Sequence, residues 1–460
     1  MDYAEAVGWV LGMTDFERAA APANSRETAD SAGTAARRWN LDRVHELLRR
    51  LNDPHLGPVT LHVAGTKGKG STCAMLAAAL TLAGYRTGMF TSPHLHTVRE
   101  RIVIDGYPCS EQDFADAATV ARPCVEAVNA DGSYGTLTTF ETLTAIAFVV
   151  FRARGVDMQV IEVGLGGRLD STNVVQPTVT GITSISLDHQ ASLGSTIGEI
   201  AREKAGIIKT GVPVVSAPQE VDAAEAILSC SQRHDAPLTL LRRDVFWRRQ
   251  AATLSGQDFH LWGTIGDRAI EHDLRVGLLG EHQLENAALA MAMLERLRDL
   301  HYPVPFDAVY TGFSGVRWPG RFEILNEEPL VIADGAHNPY SAGRLAETIM
   351  ETFPGRAVQL VLGAASDKDV GGIAREIGVV ATGAIATASR SPRSLAPDDV
   401  ADTLWEAGVP VRPEPTVAAA IDRAILEGGP SALILVTGSL FVVAEAREHL
   451  LSAQRDMSAY

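Results

Sequence analysis

The sequence predicts an α/β protein: a parallel sheet built around a phosphate loop, followed by a second, smaller α/β unit. Three observations carry this. The stretch Val59-Thr60-Leu61-His62-Val63-Ala64-Gly65-Thr66-Lys67-Gly68-Lys69-Gly70-Ser71-Thr72 is an alternating, largely apolar run that ends in a glycine-rich loop with two lysines. It opens into an Ala/Leu-rich helical pattern, Cys73 to Leu82. Strand and helix patterns then alternate along the chain, the layout of a parallel sheet with helices on both faces. Finally, Pro303 and Pro305, then Trp318-Pro319-Gly320-Arg321, precede a second such series and divide the chain into 1–318 and 319–460.

Length supports that division, because 460 residues are too many for one comfortable core. The 46% hydrophobic and 21% charged residues are those of an ordinary soluble globular protein. A net charge of −16 argues against a general nucleic-acid or membrane-surface binder, although local Lys and Arg can still reverse the field of one cleft. Cys73, Cys109, Cys124 and Cys230 show neither C-x-x-C nor zinc spacing and read as reduced thiols. No apolar run reaches the length of a membrane span and the N-terminus lacks a signal-peptide layout, so a cytoplasmic protein is expected.

Taken in order, residues 2–12 are apolar at helical spacing. Residues 19–36, rich in Ala, Ser, Thr and Asn without periodicity, read as a loop with no assigned role. Asn40 is expected to cap a helix from Leu41 to Leu51, whose Leu41, Val44, Leu47 and Leu48 follow the 3.6 period. After the organising strand and loop, Tyr85 to Phe90 is a strand ending in Thr91-Ser92-Pro93-His94-Leu95. Arg99 to Gly106 alternates and then turns, and Thr139 to Arg152 is a strongly apolar helix. Met158 to Val163 and Val179 to Ser186 are strands, followed by Gly164 to Asp170 and by Leu187-Asp188-His189. An Ala/Leu/Met-rich helix runs from Asn286 to Leu300. In the second unit Leu330–Ala333, Val358–Leu362, Ala384–Thr387 and Ala432–Val436 read as strands.

The loop carries the clearest chemistry. Glycines let backbone N–H groups converge on an anion, and the helix N-terminus adds a favourable dipole. Lys69 would meet the β- and γ-phosphates of a nucleoside triphosphate, and Ser71 or Thr72 would reach a metal or phosphate oxygen. The match to G-x-x-x-x-G-K-S/T is incomplete, with Val63 at the first glycine and Gly70 at the hydroxyl position. The bland alternative is a glycine-rich β–α turn with solvated lysines. Ser92, Glu162 and His189 each lie at or just after a strand's C-terminal end, where open α/β sheets gather their ligands. Their convergence predicts a metal-nucleotide site.

These residues, together with HVAGTKGKGST, TSPHL, VRERI, IEVGLGGRLDSTN, LDHQASLG, REKAGI, GEHQLENAA, WPGRFE, DGAHNP and TGSLF, resemble the folylpolyglutamate synthase/dihydrofolate synthase family of Mur-type ATP-dependent ligases. The resemblance covers most of the chain. It implies a P-loop, parallel-sheet, Mur-ligase-like ATPase domain and a smaller Rossmann-like glutamate-ligase domain. It implies a nucleotide set of Gly65, Thr66, Lys67, Gly68, Lys69, Gly70, Ser71 and Thr72, with Asn286 beside adenine, Arg321 at the phosphates and Asp334 at the ribose. Ser92, Glu162 and His189 correspond to Mg2+ ligands, with a second Mg2+ or a K+ as a further cation, and Lys204 to a lysine that the family carbamylates. Lys69, Lys204 and His337 are the implied catalytic residues, with Asn338 completing the DGAHNP turn.

For the folate-type acceptor the resemblance implies Thr138, Thr139, Phe140 and Glu141 with Leu169, Asp170 and Ser171. There an aromatic ring stacks on a heterocycle and a carboxylate accepts from ring N–H groups. Arg99 and Arg101 are candidate carboxylate clamps. The implied enzyme is a monomer that joins L-glutamate to folate or dihydropteroate through an acyl phosphate, without nucleic-acid or membrane partners. Two other readings compete: a cell-wall Mur ligase acting on a UDP-sugar peptide, and a P-loop ATPase or binding module without ligase activity.

Overall fold

The computed structural model describes residues 1–15 and 40–456, so the expected loop at 19–36 lies outside the described residues. Eight strands form the first sheet: β1 (Val59–Ala64), β2 (Thr87–Phe90), β3 (Ile102–Ile104), β4 (Tyr107–Pro108), β5 (Met158–Glu162), β6 (Val179–Ile182), β7 (Val214–Ser216) and β8 (Leu238–Leu240). Their order is β4-β3-β2-β5-β1-β6-β7-β8. The run from β2 to β8 is parallel, whereas β3 pairs antiparallel with both β2 and β4. The expected parallel sheet therefore carries an antiparallel edge. The cause is local: Arg99 and Arg101 belong to a helical turn, Val98–Arg101, closed by a Thr97/Glu100 capping box, and only then does the chain extend and double back at Asp105-Gly106.

Apolar side chains cover both faces of this sheet. Helices Lys69–Leu82, Glu281–Asp299 and Phe306–Gly315 bury Met75, Leu76, Met293 and Phe313 on one side. Helices Tyr3–Leu11, Asp42–Arg50, Glu111–Asp131 and Thr139–Ala153 bury Val44, Phe114, Phe148 and Phe151 on the other. Helix Asp42–Arg50 starts just after the expected cap, and Asn40 still serves it by accepting from Asp42 N–H at 3.1 Å. The Ala/Leu/Met-rich helix begins at Glu281, ahead of the expected Asn286, so Asn286 lies inside it.

A three-stranded antiparallel sheet, β9 (Val245–Thr253), β10 (Gly256–Ile265) and β11 (Arg268–Val276), was not anticipated. Its first strand buries Val245 and Trp247 but leaves its far end exposed, which weakens any alternation in the sequence. The turn signals Ser255-Gly256 and Gly266-Asp267 do mark both hairpins.

The second unit has six strands, β12 (Glu323–Glu327), β13 (Leu330–Ala333), β14 (Val358–Leu362), β15 (Gly383–Ala386), β16 (Val411–Pro413) and β17 (Leu433–Thr437), in the order β12-β13-β17-β14-β15-β16. Four match expectation within a residue or so; the edge strands β12 and β16 are additional. Helices cover both faces around Leu360 and Leu435 on one side and Val361 and Val436 on the other. Among the described residues no helix is long and apolar enough to cross a membrane, and all four cysteines are unpaired.

One buried ion pair ties helix Asp42–Arg50 to helix Thr139–Ala153. Arg43 Nε donates to Glu141 Oε1 at 2.7 Å, with the side chains only 5% and 9% exposed. Glu141 Oε2 accepts from Thr138 N–H (2.8 Å) and from its hydroxyl (2.9 Å), closing the capping box of helix Thr139–Ala153. Removing one partner strands a buried charge. Arg43→Met is therefore expected to lower the unfolding free energy by about 3–5 kcal/mol, read from the denaturant midpoint at unchanged slope.

Candidate active site

The phosphate loop takes its shape from glycines that no other residue could replace. Gly65 has φ +148° and Gly68 φ +90°, with Gly68 capping helix Lys69–Leu82. A Cβ at Gly65 would lie 1.7 Å from Thr183 Oγ1, and one at Gly68 2.1 Å from Asn286 Oδ1. The loop is thus clasped between the end of β6 and helix Glu281–Asp299. The expected strand Val179–Ser186 ends at Ile182, and the residues beyond it hold the loop: Ser184 O accepts from Thr66 N–H (2.9 Å), and Thr66 Oγ1 accepts from Ser186 N–H (3.1 Å).

Around this loop lies one cavity of about 1290 Å³, walled by both units. It brings together all the sequence-derived site residues except Thr72, Thr139 and Arg99. Thr72 is fully buried in the helix, and the Thr139 hydroxyl donates to Val10 O at 3.2 Å. Arg101 lines the cavity and donates to His94 Nδ1 (2.8 Å). Arg99 instead donates to Cys109 O at 3.0 Å and stacks over Tyr3, so it is no clamp for a ligand here.

At one end the Phe140 ring lies against Gly164, where a Cβ would come within 2.4 Å of it, and near Phe90 (5.9 Å between centroids). Asp170 accepts from Leu165 N–H (2.8 Å), Thr172 N–H (3.0 Å) and the Thr172 hydroxyl; burial nonetheless raises its pKa. Ser171 Oγ and Thr144 Oγ1 share a hydrogen bond of 3.0 Å. Glu141 reaches this wall too, but its ion pair with Arg43 and its bonds to Thr138 give it a structural task that its motif did not reveal.

In the middle, Glu162 ends β5, accepts from Ser92 N–H at 3.1 Å, and lies 3.9 Å from Lys69 Nζ. Burial raises its pKa, against the opposing pull of Lys69. His189 adopts a left-handed backbone (φ +51°) with its ring half exposed. Its pKa is pushed down to about 4, by burial first, which keeps the imidazole neutral. Asp188 is held well below the usual carboxylate range by Lys67, His189 and Lys368, although burial opposes them. Lys204 is buried and donates to Gly65 O at 2.8 Å; burial, then the neighbouring Lys69, push its pKa down to about 7.

A carboxylate, a hydroxyl and an imidazole, Glu162, Ser92 and His189, fit a hard cation that keeps water and nucleotide oxygens as its remaining ligands. Among the described residues no three His, Cys, Asp or Glu side chains gather to hold an ion by themselves.

The second unit supplies the far wall. Asp334 accepts from Phe322 N–H and Ala336 N–H, both 2.9 Å, and Arg321 packs against Gly335. Asn338 caps helix Pro339–Thr352 by accepting from Ser341 N–H (2.9 Å), so the end of DGAHNP is a helix start. His337 donates from Nδ1 to Gly335 O (2.7 Å) and meets Lys67 Nζ at 2.8 Å through Nε2. The sequence reading missed Lys368 and Arg344 in this wall, and Gln283 and Glu285 on helix Glu281–Asp299 of the first unit; burial pushes the Glu285 carboxyl up to about 7. Lys368 was findable, since Asp367-Lys368-Asp369 lies beyond the C-terminal end of the parallel strand β14.

A phosphate loop on one α/β unit, facing a second unit across a shared cavity, is the build of a Mur-type ligase. Residues 63–294 match the family model of the Mur ligase middle domain, and residues 320–440 that of the Mur ligase glutamate ligase domain. The chain is 36% identical over 412 residues to the dihydrofolate synthase/folylpolyglutamate synthase of Bacillus subtilis, covering 89% of this chain and 94% of that one. It is 33% identical over 415 residues to the dihydrofolate synthase/folylpolyglutamate synthase of Escherichia coli, covering 90% and 92%. Its fold is similar to that of Mycobacterium tuberculosis folylpolyglutamate synthase complexed with ADP and AMPPCP, with a TM-score of 0.83, 36% identity, and 89% and 94% coverage. An E. coli structure in complex with DHPP and ADP gives a TM-score of 0.81, 29% identity, and 98% coverage of each chain. The chain belongs to the folylpolyglutamate synthase/dihydrofolate synthase family.

Because Gly68 is both left-handed and in contact with Asn286, Gly68→Ala should displace the loop. The expected outcome is a loss of ATP affinity of tenfold or more by calorimetry, about 1.4 kcal/mol, in a protein that remains folded.

Proposed function

We propose that the chain is an ATP-dependent ligase that adds L-glutamate to a folate-type acceptor, with tetrahydrofolate polyglutamates, dihydropteroate or both as the carboxylate substrate. One observation carries the reading: a single cavity joins the phosphate loop, the Phe140–Asp170 end and the wall of the second unit. We assign residues 1–318 to ATP and acceptor binding and 319–460 to the glutamate-ligase domain. Both derive from one chain, which fits a monomer, and four unpaired thiols fit a reducing cytoplasm.

A free carboxylate is a poor acyl donor because its leaving group is oxide. In the proposed reaction the acceptor carboxylate attacks the γ-phosphorus of ATP, releasing ADP and forming an acyl phosphate. The neutral amine of glutamate then attacks the acyl carbon and displaces phosphate. The chain's part is positioning and charge neutralisation. Lys69 and the N–H groups of residues 65–71 would cradle the phosphates. Asn286 would flank adenine, Asp334 the ribose and Arg321 the phosphates. Phe140 would stack on the heterocycle, beside Leu169, Asp170 and Ser171. Ser92, Glu162 and His189 would hold Mg2+, with a second Mg2+ or a K+ completing the complement; the bound cation offsets phosphate charge. His337, which meets Lys67 Nζ at 2.8 Å where the second unit approaches the loop, would face the incoming amine.

An assay with ATP, Mg2+, labelled glutamate and either dihydropteroate or tetrahydrofolate tests the reading. Ligation with at least one acceptor is expected, whereas ATP hydrolysis indifferent to both would favour the plain ATPase, and ligation of a UDP-sugar peptide the cell-wall enzyme. Lys69→Ala should abolish ligation without unfolding, and Glu162→Ala and His189→Ala should each raise the Mg2+ concentration needed for half-maximal rate. Metal titrations that match wild type would remove these ligands from the scheme.

Carbamylation of Lys204 is part of the proposal. CO2 adds only to the neutral amine, and a pKa near 7 makes that form dominant above neutrality, so carbamate should accumulate as pH rises through 7. The product is an anion beside Lys69 in place of a second cation, which relieves repulsion at close range. Carbon-13 NMR with labelled bicarbonate should show a carbamate signal that grows from pH 6 to 8 and is lost in Lys204→Ala. That variant should lose ligation and regain part of it with acetate.

A further inference from the structure

Two lysines of the phosphate loop face different ways. Lys69 stays within the first unit, 3.9 Å from Glu162. Lys67 bridges outward: its Nζ donates to Asp188 Oδ2 at 3.0 Å and lies 2.8 Å from His337 Nε2. The hydrogen bond from His337 Nδ1 to Gly335 O occupies the proton of the neutral ring, which leaves Nε2 as the acceptor and Lys67 as the donor. Asp188 also faces Lys368 Nζ at 3.8 Å. Lys67 and Asp188 follow β1 and β6 of the first unit, whereas His337 and Lys368 follow β13 and β14 of the second. A chain of charge-assisted contacts therefore crosses between the units beside the phosphate loop. At least two of the three N–H donors of Lys67 are directed to fixed protein acceptors, in a side chain that is 19% exposed.

We propose that Lys67 is a positioning residue, a latch that seats the His337 loop of the second unit over the phosphate loop, rather than a ligand of the nucleotide. The proposal deepens the ligase reading and rests on it only for the identity of the second substrate. Losing the latch leaves the Asp188 carboxylate with only Lys368 and His189 as neighbours and His337 Nε2 without its donor. The second unit then loses its register against the bound nucleotide. Because the amine must meet the acyl carbon in near-attack geometry, small misplacement there penalises the glutamate step far more than ATP binding.

Lys67→Met keeps the apolar stem and removes the donors. Its ATP dissociation constant is expected within about threefold of wild type, while the KM for glutamate rises about tenfold or more and kcat falls. Lys67→Arg, which retains donors for both acceptors, should restore part of the loss. Closure gives a readout that needs no turnover: the distance between spin labels on helices Val221–Arg233 and Pro397–Glu406, with a non-hydrolysable ATP analogue bound. Wild type should show one narrow population and Lys67→Met a broad one. Combining Lys67→Met with His337→Ala should broaden it no further, because both remove the same bond. A tenfold loss of ATP affinity with unchanged label distances would make Lys67 a phosphate ligand and overturn the latch, as would additive effects in the double variant. Failure of the wild type to ligate any folate-type acceptor would instead strike the ligase reading and leave the distance measurement intact.

Discussion

The site depends on the crowding of like charges around a glycine-rich loop that itself carries two lysines. Lys67, Lys69, Lys204 and Lys368 all line one cavity, and Asp188 and Glu162 only partly offset them. Ammonium groups this close in a medium of low polarity repel strongly. Burial and that repulsion push Lys67 down to about 8 and Lys204 to about 7. A polyanion relieves the strain more fully than water does, so a triphosphate is the natural guest. A chain with a net charge of −16 thereby gathers four lysines around its phosphate loop.

The crowding is possible only because the loop glycines let their neighbours in. Thr183 and Asn286 occupy the space that Cβ atoms at Gly65 and Gly68 would need, and the indole of Trp318 lies 3.0 Å from where one at Gly70 would stand. Three elements far apart in sequence, the end of β6, helix Glu281–Asp299 and the approach to the second unit, are therefore located by one loop. The clasp also joins the adenine side of the proposed nucleotide site to its phosphate side without further machinery.

Sequence pattern captured the elements whose physics is local. The strand–loop–helix at residues 59–82, the helix from Thr139 and most strands of the second unit emerged because periodicity and capping are written within each segment. The antiparallel sheet at 245–276 did not, although Phe259, Leu261 and Ile265 on one strand and Ile270, Leu274 and Val276 on the next alternate toward the core; only its first strand loses the pattern, in an exposed far end. The site divides in the same way. Residues at strand ends, such as Ser92, Glu162 and His189, were legible from the rule that parallel sheets present ligands there. The partners that decide what a charge does were not: nothing in the motif shows that Glu141 belongs to Arg43, or that Lys67 meets His337 across 270 positions of sequence.

That difference in partnership separates the two ends of the cavity. At the proposed acceptor end the polar groups are fixed within the first unit: Glu141 by Arg43 and Thr138, Asp170 by two backbone N–H groups and a hydroxyl, Ser171 by Thr144. Such a wall is preorganised and loses little freedom when a substrate arrives. At the other end the contacts cross between units and end on lysines, whose flexible stems and point charges tolerate a change of distance. A rigid half suits the proposed first step, in which a phosphoryl group passes between two held substrates. A yielding half suits the second, in which an amine must enter, be covered, and leave as part of a longer product. The order of the proposed chemistry is thus already drawn in the distribution of rigid and compliant contacts around the loop.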